Sequence, residues 1–305
     1  MPRFATLTTV VACLHVAEAL SAQNKSPDIY NDSLLGQIRA AAGATSKDLP
    51  TGIDFLKFAE VHPPLFGVVE GGDSTPVTIA FTVFQIRYPK SWVIVDAGFE
   101  RETWNQFYPK DSVTYWPERW ARIQTAFRGA DAILLTHEHW DHAGGIERGP
   151  QVPDLARKTV LTGEQIASLL DPPSADYIKL PRDSLPAYRT ISYATLYRAA
   201  PGVVLVRAPG HSPGSQWIYV RLTSGKEFLM VGDLVWNMAG LATGRQRPLA
   251  ESQRMKEDRD ALQRQIDFVR HIMRSGITVI TSHDGLALSA LAAAGILRDD
   301  FDLTH

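Results

Sequence analysis

The stretch Thr136–His142 reads THEHWDH and packs His137, His139, Asp141 and His142 into six residues. Three imidazoles and a carboxylate are costly to crowd together unless a cation binds them. Neutral imidazole nitrogen and carboxylate oxygen suit zinc and its first-row neighbours. More chelating residues stand apart from this cluster: Asp96 upstream, then His211 in Gly210-His211-Ser212, Asp233 in Gly232-Asp233 and His283 in Ser282-His283. His62 precedes two prolines, His271 lies in a helical stretch, and His15 and His305 sit near the chain ends; none has chelating neighbours in sequence. Glu138 and Trp140, inside the cluster, are assigned to packing or to orienting a ligand.

Each chelating position follows a short β-rich run. Trp92–Val95 precedes Asp96, residues 132–135 precede the cluster, and Val203–Val206 precedes His211. Glu227–Val231 and Ile277–Ile280 do the same for Asp233 and His283. Strand ends gathered at one edge of a layered sheet point their loops into one crevice. The pattern therefore predicts that five histidines and the aspartates converge. Ala143-Gly144-Gly145 lets the backbone turn sharply or pack closely after the cluster.

Other elements frame that crevice. A short helix is expected near Leu34–Ala42 and a strand over Thr78–Ile86, turning at Tyr88–Ser91. A helix over Glu118–Phe127 starts behind Pro117. Residues 159–163 read as a strand feeding a helix at Glu164–Leu170, and the prolines at 172, 173, 181 and 186 make 171–190 irregular. Gln216–Leu222 and Glu227–Val231 pair as a hairpin through Ser224-Gly225. One long helix is expected over 251–274, with Met255, Leu262, Ile266, Val269 and Met273 on a single stripe. A last helix covers Leu286–Leu297. The aromatic excess over 99–130 offers a lid, a substrate wall or a dimer face, with about half of these rings expected in the core.

The 305 residues are 45% apolar with a net charge of -2 and no long basic run. That balance favours one α/β domain with a substantial core and argues against a nucleic-acid partner. Arg3, the apolar run Phe4–Leu14 and the small residues Ala19, Ser21 and Ala22 read as an export signal over 1–22. The apolar run is too short to span a bilayer comfortably, so a periplasmic or secreted chain without stable membrane association is expected. Cys13 is the sole cysteine and lies inside that signal, leaving the mature chain without a thiol; a lipoprotein box ending at Cys13 ranks lower. Residues 23–60 read as a lead-in with one short helix, strand signals begin at Leu65, and a homodimer is left open.

THEHWDH followed in order by GHS at 210–212, GD at 232–233 and SH at 282–283 resembles the metallo-β-lactamase superfamily of binuclear metallohydrolases. The resemblance runs from Asp96 to His283. It implies an αββα sandwich of two mixed sheets flanked by helices over residues 61–305, with two divalent ions at the sheet edge. Zinc is the first choice, with iron, manganese or cobalt as alternatives. By the family pattern His137, His139 and His211 hold one ion, Asp141, His142 and His283 hold the other, and Asp233 bridges them. Asp96 would orient a ligand histidine. Such ions lower the pKa of bound water from 15.7 to about 7, which implies a bridging hydroxide that attacks a carbonyl. Asp141 and Asp233 are then the catalytic acids, Asp141 passing a proton to the leaving group.

Asp233 is similar to the bridging aspartate of lactonases and thioester hydrolases, and true β-lactamases generally lack it. The 22 residues after His283 suffice for one helix and not for a glutathione-gripping extension, which disfavours a glyoxalase-type thioesterase. The layout with Gly-His-Ser-Pro-Gly at 210–214 is most similar to acyl-homoserine lactonases. Those enzymes commonly carry a tyrosine three residues after the bridging aspartate; here that position is Trp236, which donates but lacks the phenol's acidity. The expected substrate is a small molecule with a lactone, ester or amide carbonyl, lactone first. Thioesterase or β-lactamase activity stands behind it. An iron-dependent oxidoreductase and a non-catalytic periplasmic metal binder are the readings from other classes.

Overall fold

The computed structural model describes residues 29–43, 48–109, 112–147, 152–171, 180 and 182–304. The export signal with His15 and the Cys13 box, the start of the lead-in, the prolines at 172, 173 and 181, and His305 lie outside the described residues.

In chain order the first elements are helix α1 (Asp32–Ala42) and strands β1 (Gly52–Val61), β2 (Ile79–Arg87) and β3 (Trp92–Val95). Helix α2 (Arg101–Phe107), strand β4 (Thr114–Tyr115), helix α3 (Pro117–Gly129) and strand β5 (Ala132–Leu134) follow. Helices α4 (Trp140–Glu147) and α5 (Val152–Ala156) lead to β6 (Thr159–Thr162), α6 (Gly163–Leu170) and β7 (Arg189–Ile191). The second half holds β8 (Leu196–Ala200), β9 (Val203–Arg207), β10 (Gln216–Arg221) and β11 (Glu227–Met230). It closes with α7 (Met238–Thr243), α8 (Leu249–Arg254), α9 (Arg259–Met273), β12 (Thr278–Ile280) and α10 (Gly285–Ala293).

These strands form two mixed sheets, β4-β1-β2-β3-β5-β6-β7 and β12-β11-β10-β9-β8. Side-chain alternation along each strand sorts the apolar residues into layers. In β2, Phe84 and Ile86 face the second sheet, while Phe81 and Val83 face helices. In β10, Ile218 and Val220 face the first sheet, while Trp217 and Tyr219 face helices. One apolar layer therefore lies between the sheets. A second packs the first sheet on α3 through Ile123 and Phe127, and a third packs the second sheet on α1 and α9 through Ile38 and Ile266. The result is helix, sheet, sheet, helix, as expected for two sheets each covered on its outer face.

Topology brings the chelating residues together. β3 and β5 run parallel, so Asp96 and the THEHWDH cluster leave the same edge of the first sheet. β9 and β11 are each antiparallel to β10, and β12 is parallel to β11. The C-terminal ends of β9, β11 and β12 therefore also share an edge, and from it come His211, Asp233 and His283.

Two expectations need correction. The lead-in over 23–60 contains β1, a ten-residue strand paired along its length with β2. Its apolar residues fall on both buried faces, so simple alternation is masked, and buried Asp54 interrupts the run with ion pairs to Arg87 at 2.7 Å and Arg298 at 2.6 Å. The long helix over 251–274 is two helices, α8 and α9, with Lys256 at φ 58° between them and Asp258 capping the Ala261 amide. Leu262, Ile266 and Val269 form the buried stripe, and Met255 lies outside it.

Candidate metal centre

Asp96 terminates β3 at φ 63°, a left-handed conformation that an aspartate tolerates better than most residues. The turn aims its carboxylate across to β5. Oδ1 accepts from the Thr136 amide at 2.7 Å, and Oδ2 lies 2.9 Å from His142 Nδ1. The cluster itself runs into α4, whose glycines pack against the same turn: a Cβ on Gly145 would stand 2.2 Å from the Ala97 carbonyl oxygen. Close helix-to-loop packing is thus what Ala143-Gly144-Gly145 supplies.

Every predicted ligand reaches one crevice. His137 Nε2 and His211 Nε2 are 3.2 Å apart, and His139 Nδ1 is 2.9 Å from His211 Nε2. On the other side His142 Nε2 and His283 Nε2 are 3.2 Å apart, each 3.6 Å from Asp141 Oδ2. Asp233 stands between. Its Oδ1 is 3.3 Å from His142 Nε2 and 3.1 Å from His283 Nε2, and its Oδ2 is 3.5 Å from His211 Nε2. The sets His137–His139–His211, His137–His142–Asp233 and Asp141–His142–His283 each offer ligand atoms within 4.8 Å of one another.

The outward nitrogens show what the inward ones are for. His211 Nδ1 faces Glu257 Oε1 at 2.5 Å, His283 Nδ1 faces the Ala80 carbonyl at 2.7 Å, and His142 Nδ1 faces Asp96. Glu257, the Ala80 carbonyl and Asp96 are acceptors, so with a cation bound each ring would keep its proton on Nδ1 and turn its Nε2 lone pair inward. Lone pairs converging at 3.2 Å repel unless a cation lies among them. Asp233 Oδ1 is buried without a hydrogen bond, which a cation beside it would satisfy. The residues fit two divalent ions, each with a carboxylate-backed histidine.

Electrostatics divides the crevice. Burial holds His137 and His139 well below the usual histidine range, and neighbouring imidazoles push the same way. Burial also disfavours charge on His142 and His283, but the carboxylates around them outweigh it and hold both above that range. Asp233 is opposed by burial, yet His283, His142 and His137 keep it well below the carboxylate range. Glu257 is likewise held at about 2 against burial by Arg247 and His211.

A cavity of about 630 Å³ opens on the crevice. His139, Asp141, Asp233 and His283 line it, and Phe81, Trp104, Tyr108, Trp140 and Trp236 supply aromatic wall. Trp104 stacks on Tyr108 with centroids 4.4 Å apart. From the aromatic run Trp104 and Tyr108 join this wall, while Phe99, Trp120 and Phe127 pack in the core. Glu138 is buried and holds the loop after His211, accepting from Ser212 Oγ at 2.9 Å and the Gly214 amide at 3.1 Å. His62 lies beside Glu60 and His271 beside Asp32. Sequence reasoning missed Glu257 and Arg247. The acidic pair Glu257-Asp258 before α9 marks a helix start, but nothing in the local sequence directs Glu257 to His211.

The metallo-beta-lactamase superfamily pattern matches residues 75–264, more than half of the chain, and the chain belongs to that superfamily. A search of curated proteins by sequence finds no match. Among solved structures, an N-acyl homoserine lactone hydrolase with N-hexanoyl-L-homoserine bound at its metal centre superposes with a TM-score of 0.61 at 15% identity, covering 79% of this chain and 96% of that one. A dizinc quorum-quenching lactonase, AidC, gives 0.54 at 15% identity over 78% of this chain and 90% of its own. A probable metal-dependent hydrolase from Staphylococcus aureus gives 0.59 at 15% identity over 78% and 91%. At such identities the likeness establishes the fold.

Proposed function

We propose that the protein is a metal-dependent hydrolase of lactone or ester bonds using two divalent ions, zinc first. The observation that carries the reading is the pair of inward-facing ligand sets, with Asp233 directing one oxygen to each. Bound ions would supply Lewis acidity and a nucleophile at neutral pH. His137, His139 and His211 would hold one ion; Asp141, His142 and His283 would hold the other. Asp141 lines the cavity and would take the proton lost by the attacking water and pass it to the departing oxygen. Asp96, Glu257 and the Ala80 carbonyl fix the ligand rings and so spare the site reorganisation during reaction. The aromatic wall of Trp104, Tyr108 and Trp140 receives the apolar part of the substrate and excludes water from the carbonyl.

The aspartate between the two sets and the lactonase-like architecture favour a lactone. Two of the neighbours named above are an N-acyl homoserine lactone hydrolase and a quorum-quenching lactonase, and a substrate of that size fits a cavity of about 630 Å³. The test is a hydrolysis screen of lactones, aryl esters, thioesters and β-lactams with metal-quantified protein. Lactones or esters should turn over fastest, and His137→Ala or Asp233→Ala should lose metal and turnover together. Full turnover in either variant, or turnover confined to β-lactams, contradicts the proposal.

A further inference from the structure

Arg247 lies between α7 and α8 with only 3% of its surface exposed. Its guanidinium donates to the Asp233 main-chain oxygen at 2.7 Å, pairs with Glu257, and stacks over the Trp236 ring at 4.9 Å. Glu257 accepts from His211 Nδ1. The Trp236 indole Nε1 donates to Asp233 Oδ2 at 2.6 Å. Arg259 closes the arrangement from α9 by donating to the Arg247 carbonyl at 2.9 Å. One buried cation therefore touches the residues that set two different ligands.

We propose that Trp236, Arg247 and Glu257 form a positioning network for the metal centre, in which Trp236 sets the plane of Asp233 and Glu257 sets the ring of His211. The proposal rests on the two-ion reading above. The final torsion of an aspartate is broad, so its carboxylate plane needs an external anchor. An indole is a donor with no acceptor, so it fixes Oδ2 without competing for a cation. With Oδ2 held, Oδ1 is left aimed between His142 and His283. The ring cannot swing away, because Arg247 covers its face and His283 meets it nearly edge-on at 84°. The indole proton is thereby committed to Asp233, and polarising a substrate carbonyl falls to other groups. Trp236 acts on both ion positions, since Asp233 faces both. Glu257 acts on one, since His211 belongs to one set.

The test is zinc titration of metal-free protein against a chromophoric chelator, with thermal melts of the metal-free protein alongside. Trp236→Phe keeps the ring under Arg247 and removes only the N–H. It should weaken both zinc equivalents roughly ten-fold or more, the range for partners that orient ligands. Glu257→Gln should weaken one equivalent by a similar factor and leave the other within two-fold. Trp236→Phe should melt, metal-free, within about 2 °C of wild type, which on the usual scaling is under 1 kcal/mol; Glu257→Gln leaves the Arg247 charge unpaired and should melt lower, so its signature is the selective loss of one equivalent. Wild-type affinity for both ions in Trp236→Phe overturns the network. So does an affinity loss in Trp236→Phe matched by a large drop in its metal-free melt, which marks simple packing, or an equal loss of both equivalents in Glu257→Gln. A wild-type protein that takes up no zinc, cobalt or manganese overturns the two-ion reading itself, a result distinct from either.

Discussion

Asp96 holds His142 in place without belonging to either ligand set. Asp96→Asn keeps the shape and the tolerance for a left-handed turn but removes the charge facing His142 Nδ1. Zinc affinity should fall roughly ten-fold or more, with the circular dichroism spectrum unchanged; an unaltered affinity would show that the contact is incidental. Tyr108 is 41% exposed and lines the cavity, so its loss perturbs the core little. Tyr108→Ala should raise KM several-fold for apolar lactones while kcat stays within about two-fold, the signature of lost uniform binding; a fall in kcat alone would remove Tyr108 from the substrate wall. The convergence of the candidate ligand residues was legible in the sequence because each is a polar chelator placed just past an apolar run. Arg247 and Glu257 were not. A buried Arg–Glu pair has no local signature, and the contact from Glu257 to His211 spans 46 positions and exists only once the strands are stacked.

Elements succeed here by close approach and by ties between layers. α4 sits directly on the Ala97 carbonyl through Gly145, so Gly145→Ala should cost about 1–3 kcal/mol in denaturant unfolding; a neutral result would mean the helix has room to shift. α1 is tied to the second sheet by Arg39, which donates to Glu227 at 2.8 and 2.6 Å. Burial pushes the Glu227 carboxyl up, but hydrogen bonds from Arg39 and Tyr219 outweigh it and hold it below the carboxylate range. Its contribution is therefore complete above the unfolded value of about 4.3 and is lost as pH falls through the folded value. Glu227→Gln should flatten the loss of stability below about pH 4.3, by on the order of 1 kcal/mol; an unchanged acid limb would exclude the pair as a source of acid sensitivity. The strands β2, β3, β9, β10 and β11 were readable because their runs are short, apolar and bounded by turn residues. β1 was not, because it is buried on both faces and interrupted by Asp54, Lys57 and Glu60. The joint between α8 and α9 was hidden because Met255 lies seven residues before Leu262 and so continues the helical period by chance.

The whole molecule is two covered sheets whose strand ends meet, so bound ions would join the two halves of the chain. Ligands that bind only the folded state stabilise it: free zinc at 100 times its Kd adds about 2.7 kcal/mol. Removal of metal by a chelator should therefore lower Tm by roughly 5–10 °C for a chain of this size, and an unchanged Tm would mean that no ion links the sheets. Among the described residues no helix is long and apolar enough to cross a membrane. The export signal proposed at residues 1–22 predicts that mass spectrometry of secreted or periplasmic protein finds an N-terminus close to Ala22; an intact Met1 would contradict it. The convergence of histidines and aspartates on two cations is tested most directly by anomalous diffraction from crystals of the zinc-loaded protein. Two peaks are predicted, one among His137, His139 and His211 and the other among Asp141, His142 and His283, with Asp233 between them. A single peak, or peaks that avoid His211 or His283, would contradict the account.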